Sequence, residues 1–323
     1  MKILVTGAAG FIGFNFCNFL MQNTKYKILG VDNLNDYYDV TLKKKRLRVL
    51  KKYKNFNFLK IDINNNFLIE KVFKKNKFDF VLNLAAQAGV RYSIQEPRKY
   101  IESNISGFFN IIENSRKYKV KRLFYASSSS VYGENNNFPL IEKEKTSPKN
   151  IYGLSKKINE EISGIYNNYY DLKVTGLRFF TVYGEWGRPD MMMLKYISNY
   201  FNKKTFTLYN YGNHVRDFTY IGDVVKILHL LLNEHNKLPD NDIFNICSNK
   251  PINLGEIINY MKKKGINPKI KKLPLQQADI LKTHGDNSKI LKYIKFKKFS
   301  DWRTSLENTI KWYKDFMLSL IHI

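Results

Sequence analysis

The reading of the fold turns on Lys2–Asp32, KILVTGAAGFIGFNFCNFLMQNTKYKILGVD. Lys2 to Thr6 is apolar and strand-like, TGAAGFIG follows at once, and the run Tyr26 to Val31 ends on Asp32. This order predicts the opening of a dinucleotide site: Gly7 for the tight turn, Gly10 for backbone approach to a pyrophosphate, and Gly13 for close packing of a helix that starts near Phe11 and includes Ile12. The helix N-terminus would face the anion. Asp32 stands nineteen residues beyond Gly13, where a carboxylate accepts hydrogen bonds from an adenosine ribose and repels a 2′-phosphate; this favours NAD over NADP.

Further along, Phe56–Ile61, Phe78–Leu84, Val120–Ser127 and Lys173–Phe180 read as strands, with helical stretches such as Pro97–Lys117 and Ile151–Asn168 between them. Such alternation predicts an α/β fold with a doubly wound parallel sheet, the Rossmann arrangement. Beyond Phe180 the pattern changes to a loop over 183–190, a helix, a short strand ending near Tyr209 and another loop. We expect a smaller, mostly C-terminal α/β substrate-binding domain over 181–216 and 249–323. The dinucleotide domain, 1–180, would be rejoined by about 217–248, with Ile243–Cys247 returning to its sheet.

With 323 residues, 44% of them hydrophobic, the chain can bury a large core, and disorder is excluded. No run of about 18 apolar residues could span a bilayer, and the N-terminus enters a strand without the segments of a secretion signal. A cytoplasmic enzyme without a membrane partner is expected. Cys17 and Cys247 match no metal or redox spacing, so no metal site is expected. The formal net charge of +26 invites a nucleic-acid partner. The lysines, however, fall in scattered groups (Lys43 to Lys45, Lys74 to Lys77, Lys262 to Lys264, Lys297 to Lys298) that read as solvated helix faces, and no nucleic acid is expected.

Tyr152 and Lys156 lie four apart on a predicted helix, hence on one face. The ammonium, with a positive nicotinamide nearby, favours the phenolate and makes Tyr152 a candidate general base. Tyr169 with Lys173, Tyr200 with Lys204 and Tyr293 with Lys297 share the spacing. Only Tyr152 follows a strand ending in a hydroxyl cluster, Ser127 to Ser130, so the other pairs read as surface or packing residues.

The glycine loop, ASSSSVYG and YGLSK together resemble the extended short-chain dehydrogenase/reductase family of nucleotide-sugar enzymes. That resemblance implies a catalytic triad of Ser128, Tyr152 and Lys156 on NAD, with the serine register open by one place. LNDYYD (34–39), LAAQAGVRYS (84–93), GLRFFTVYGEWGRPDMM (176–192) and RDFTYIGDV (216–224) resemble the UDP-glucuronate 4-epimerases within it, densely over about residues 1 to 235. Simpler UDP-hexose 4-epimerases usually carry asparagine where Thr181 stands.

The resemblance implies a UDP-sugar as substrate, with UDP-glucuronate converted to UDP-galacturonate through a 4-keto intermediate. Arg188 would read the sugar carboxylate through its planar fork, helped by Thr181 and Ser129; a bond to Asp190 or Glu185 is the alternative for that arginine. Further implied substrate contacts are Arg91 beside the sugar, Arg216 on the diphosphate, Tyr209 against the uracil, and Gln276 and Asp279 near the ribose or phosphate. On the cofactor side the resemblance implies Asp62 and Ile63 beside the adenine, Leu84, Ala85 and Ala86 along the pyrophosphate side, Asn33 next to Asp32, and Asn104 supporting the helices near the site; Asp62 equally suits a turn cap. Relatives pair through helices matching Pro97–Lys117 and Ile151–Asn168, which implies a homodimer. Rival readings are a UDP-glucuronate decarboxylase, a UDP-hexose 4-epimerase, and a non-catalytic basic nucleotide-binding scaffold.

Overall fold

The structure, a computed structural model, describes residues 1–276 and 279–321. Its strands are β1 (Lys2–Thr6), β2 (Lys27–Asp32), β3 (Phe56–Lys60), β4 (Phe80–Asn83), β5 (Arg122–Ser128), β6 (Val174–Phe179), β7 (Thr181–Tyr183), β8 (Phe206–Tyr209), β9 (Val215–Tyr220), β10 (Asn241–Ile246), β11 (Pro251–Asn253) and β12 (Ile270–Leu273). Seven of them form one sheet in the order β10-β6-β5-β4-β1-β2-β3, every neighbouring pair parallel. The α/β parallel sheet is therefore present. Its order reverses between β1 and β4, and in such sheets a crevice opens beyond the carboxyl ends of the strands at that point.

The two faces of the sheet are buried by different helices because side chains alternate along a strand. From β1, Ile3 and Val5 join a core with Phe14, Leu20, Val224 and Leu228. Leu4 joins another with Ile69, Phe108, Ile111 and Tyr166. A separate apolar cluster combines Met193, Ile197, Phe206, Ile257, Leu306 and Ile310. It brings the helix Met192–Phe201 together with the chain after β10 and packs beside two small sheets, β11-β9-β7 and β12-β8.

Two expectations need correction. The single helix expected over 97–117 is instead α-helix at Pro97–Tyr100, π-helix at Ile101–Ser106 and α-helix again at Gly107–Lys117. The wider π turn carries Asn104, which is fully buried; local changes of this kind often mark functional regions. The helix Val40–Leu50 holds only part of its basic run on a solvated face: Lys44 and Arg48 are exposed, whereas Lys43 and Arg46 point inward. Lys43 is 5% exposed and Arg46 0%, because each cation meets backbone oxygens of loops around the crevice.

Candidate active site

At the carboxyl end of β1 the chain turns so tightly that a Cβ on Gly13 would lie 2.2 Å from the Gly7 carbonyl oxygen. Any side chain there would drive the helix Phe11–Asn23 off the turn. The cap residue Gly10 supplies no side-chain bond, which leaves the first N–H groups of that helix for an anion. Gly7, Gly10, Phe11, Ile12 and Gly13 line a cavity of about 370 Å³ together with Asp32, Asn33, Ile63, Leu84, Ala85 and Ala86. Burial pushes the Asp32 carboxyl up; the Leu34 and Ala9 N–H groups, donating at 2.8 and 3.1 Å, and the nearby Lys43 and Arg46 charges work against it. An uncapped helix end, a turn without room for side chains and a buried acceptor form a donor and acceptor set that fits a dinucleotide.

Two residues assigned to the cofactor lie off the cavity wall. Asp62 accepts from the Asn33 side chain at 2.8 Å and from the Asn64 N–H at 2.9 Å, so it caps a turn. Asn104 accepts from the Gln87 N–H at 2.7 Å and donates to the Gln87 carbonyl and the Ser155 hydroxyl, both at 3.0 Å. Its part is to fix the backbone at Gln87, which does line the cavity.

Tyr152 and Lys156 lie on the helix Ile151–Tyr170, whose cap Asn150 accepts from the Gly153 N–H at 2.8 Å. A Cβ on Gly153 would lie 2.5 Å from the Ser130 carbonyl oxygen, so the absent side chain lets the first helical turn press against the serine turn. Ser128, Ser129, Tyr152 and Lys156 thereby share one cavity. Lys156 donates to the Ala126 carbonyl at 2.9 Å, and burial lowers its pKa to about 8. The Ser127 hydroxyl is committed to Glu160 at 2.5 Å, and Glu160 in turn takes both Nε and Nη2 of Arg178 at 2.9 and 2.8 Å. This buried ion pair removes Ser127 from consideration and ties the end of β5 to the helix that bears Tyr152.

Thr181, Arg188 and Met191 line the same cavity. The Arg188 fork grips Asp190, Nε to Oδ1 at 3.0 Å and Nη2 to Oδ2 at 2.5 Å. Burial opposes the Arg188 charge, yet the Asp190 carboxylate holds its pKa above the ordinary value. Tyr37 donates to the same carboxylate at 3.2 Å, and its ring centre lies 5.6 Å from the Arg188 guanidinium.

The other implied substrate residues gather beside the cavity instead of in its wall. Arg91, next to the lining residue Val90, donates to both oxygens of Asp279 at 3.0 and 2.9 Å and lies 4.3 Å over the Tyr209 ring. His214 Nε2 is 3.8 Å from Asp279. The Gln276 carbonyl accepts from the Asp279 N–H at 3.0 Å. Arg216 donates to the carbonyls of Val215, Ile280 and Leu281, and burial lowers its pKa to about 10.

Sequence reasoning missed Arg46. Its guanidinium donates to the carbonyls of Ala9 at 2.8 Å, Trp186 at 2.5 Å and Gly187 at 3.2 Å, and to the Tyr38 hydroxyl at 2.7 Å. It thus joins the glycine turn to the loop carrying Arg188. Lys43 was missed too; it donates twice to Asn35, at 2.7 Å each, and reaches the cavity. The available signal was that both lie on the inward stripe of the helix Val40–Leu50 with Leu42, Leu47 and Leu50. No group of three metal-ligating side chains occurs among the described residues, and Cys17 and Cys247 are buried. No helix among the described residues is long and apolar enough to cross a membrane.

Comparison with known proteins bears on this site. Residues 3–247 match the NAD dependent epimerase/dehydratase family. Over 331 residues the chain is 37% identical to UDP-glucuronate 4-epimerase 4 of Arabidopsis thaliana, covering 97% of this chain and 75% of that one. The solved structure of UDP-glucuronic acid 4-epimerase from Bacillus cereus, in complex with UDP-glucuronic acid and NAD, is similar with a TM-score of 0.89 at 29% identity, covering 98% of this chain and 100% of that one. UDP-glucose 4-epimerase from Thermotoga maritima, with UDP-glucose, gives a TM-score of 0.89 at 28% identity and the same coverage.

Proposed function

Because the chain belongs to the NAD dependent epimerase/dehydratase family, we propose that it inverts C4 of a UDP-sugar acid, converting UDP-glucuronate to UDP-galacturonate. The cofactor is NAD, and the residues that would hold it are the Gly7–Gly13 turn, Asp32 and the strand end at Leu84 to Ala86. One observation carries the substrate reading: Arg188 and Thr181 line the same cavity as Ser128, Ser129, Tyr152 and Lys156. A cation and several hydroxyls there suit a buried carboxylate, which is costly to enclose without such partners.

In this reading Tyr152, as phenolate, takes the proton of the sugar 4-hydroxyl, and Ser128 hydrogen-bonds the same oxygen. Bound NAD supplies reversible hydride acceptance at C4. Lys156 holds positive charge beside the phenolate. The 4-keto sugar turns over about its diphosphate tether, and Tyr152 returns the proton with the C4 configuration inverted. Because that intermediate is a β-keto acid, Arg188, Thr181 and Ser129 must also keep the bond to the carboxylate out of line with the carbonyl π system, or carbon dioxide departs.

A second reading is favoured by one observation. The Arg188 fork is already satisfied by Asp190, which suits a neutral UDP-hexose as well as a uronate. Separate incubations with UDP-glucuronate and with UDP-glucose, each with catalytic NAD and followed by NMR of the products, separate these. UDP-galacturonate is the expected product; a UDP-pentose with carbon dioxide identifies a decarboxylase, and turnover of UDP-glucose alone a hexose epimerase.

We also propose a cytoplasmic homodimer. Ile101, Phe109, Leu154 and Ile165 leave apolar surface exposed on two neighbouring helical segments, the kind of patch that a second copy covers in a symmetric contact.

A further inference from the structure

We propose that Asp190 is an internal competitor for the substrate carboxylate, occupying the edge of Arg188 on which a uronate would dock; the inference rests on the uronate reading above. Both carboxylate oxygens of Asp190 meet one edge of the guanidinium, at 3.0 Å on Nε and 2.5 Å on Nη2. This is the fork-on-fork geometry that carboxylates frequently adopt on arginine. The two side chains are separated in sequence only by Pro189, so Asp190 is always at hand.

The pair is not sealed in the core. Arg188 retains 20% and Asp190 37% of its side-chain surface, and Arg188 also reaches the cavity that holds Tyr152. A released Asp190 keeps the Tyr37 hydroxyl, now 3.2 Å from its Oδ2, and gains water. Exchange of one carboxylate for another therefore costs little, since partly exposed ion pairs contribute modestly.

Two consequences follow for ligand choice. A neutral sugar meets an arginine whose charge is already balanced, so no unpaired cation is buried when it binds. A uronate that docks on this edge binds only to the fraction of molecules in which Asp190 has left it, and its apparent affinity is lowered by that fraction. Asp190 thus sets how strongly the site prefers acids.

A mere orienting role predicts the opposite sign. If Asp190 only held Arg188 in place, removing its charge would loosen the arginine and weaken uronate binding. The test uses NAD-loaded protein carrying Tyr152→Phe, which prevents turnover, and calorimetric titration with UDP-glucuronate and UDP-glucose, with and without Asp190→Asn. The expected result is UDP-glucuronate binding roughly fivefold tighter in Asp190→Asn, with UDP-glucose binding no tighter than in the parent. Unchanged or weaker uronate binding in Asp190→Asn, alongside a parent that prefers the uronate, overturns the competitor role alone. A parent without such preference, in which Asp190→Asn creates none, overturns the uronate reading and this proposal with it.

Discussion

The two ends of the cavity are made of different materials. The nucleotide end consists of backbone: a glycine turn, uncapped helical N–H groups and one buried carboxylate held by two amides. The sugar end relies on charged side chains: Arg188 in the cavity wall pairs with Asp190, Arg91 beside the wall pairs with Asp279, and Arg216 meets backbone carbonyls. A site of the first kind is set once the chain has folded. One of the second kind must trade internal partners for external ones, so its selectivity is a difference between two sets of ion pairs.

The contrast is broken most severely at its rigid end. Gly13→Ala puts a methyl where only 2.2 Å separates the Cβ position from the Gly7 carbonyl oxygen, and backbone has nowhere to yield. We expect a loss of about 3 kcal/mol or more in stability together with loss of bound NAD, read by urea unfolding and by nucleotide released on denaturation. Retention of NAD at full stability would show that the turn gives way more easily than its packing indicates.

Lys156 lies where the two ends meet and sharpens the comparison through pH. Burial lowers its pKa to about 8, so the ammonium that supports the phenolate is lost above that value, and kcat is expected to fall as pH rises through it. Stability moves the other way. The folded pKa lies below the unfolded value of about 10.4, so the fold disfavours the charged form; this penalty is complete below about pH 8 and disappears as pH climbs past the unfolded value. Lys156→Met should therefore be nearly inactive yet more stable than the parent at pH 7, and a less stable variant would contradict the burial argument.

The smallest effect belongs to the exchangeable end. Arg91 is 47% exposed in its pair with Asp279, so Arg91→Ala should cost only about 0.2–1 kcal/mol in a urea titration. A larger loss would mean that this ion pair holds the fold together as the nucleotide turn does.

How much of this could be read from the sequence follows the same division. Gly7, Gly10, Gly13 and Asp32 were legible because a backbone site is encoded by neighbouring residues at fixed spacing. The inner parallel strands were legible because both faces of the sheet are buried there and β1, β2 and β4 are apolar runs. Lys43 and Arg46 were not: in a run of basic residues, nothing local reveals that Arg46 meets carbonyls at 186 and 187, about 140 positions away. The π segment at Ile101–Ser106 was hidden for a related reason, since the partner of Asn104 is Gln87 on a distant turn. For Arg188 both readings were visible in GRPD; the sequence reading ranked the sugar carboxylate first, and the structure shows the fork on its near neighbour Asp190.

Arg46 has a consequence for how the molecule opens. Its guanidinium bonds the carbonyl of Ala9 from the nucleotide turn and those of Trp186 and Gly187 from the sugar loop. Neither segment can peel away without leaving guanidinium N–H donors unpaired where water does not reach. Fluctuations at the two ends are thereby merged into a single cooperative event, and a disturbance in the loop after β7 is felt beneath the pyrophosphate without passing through the ligand at all.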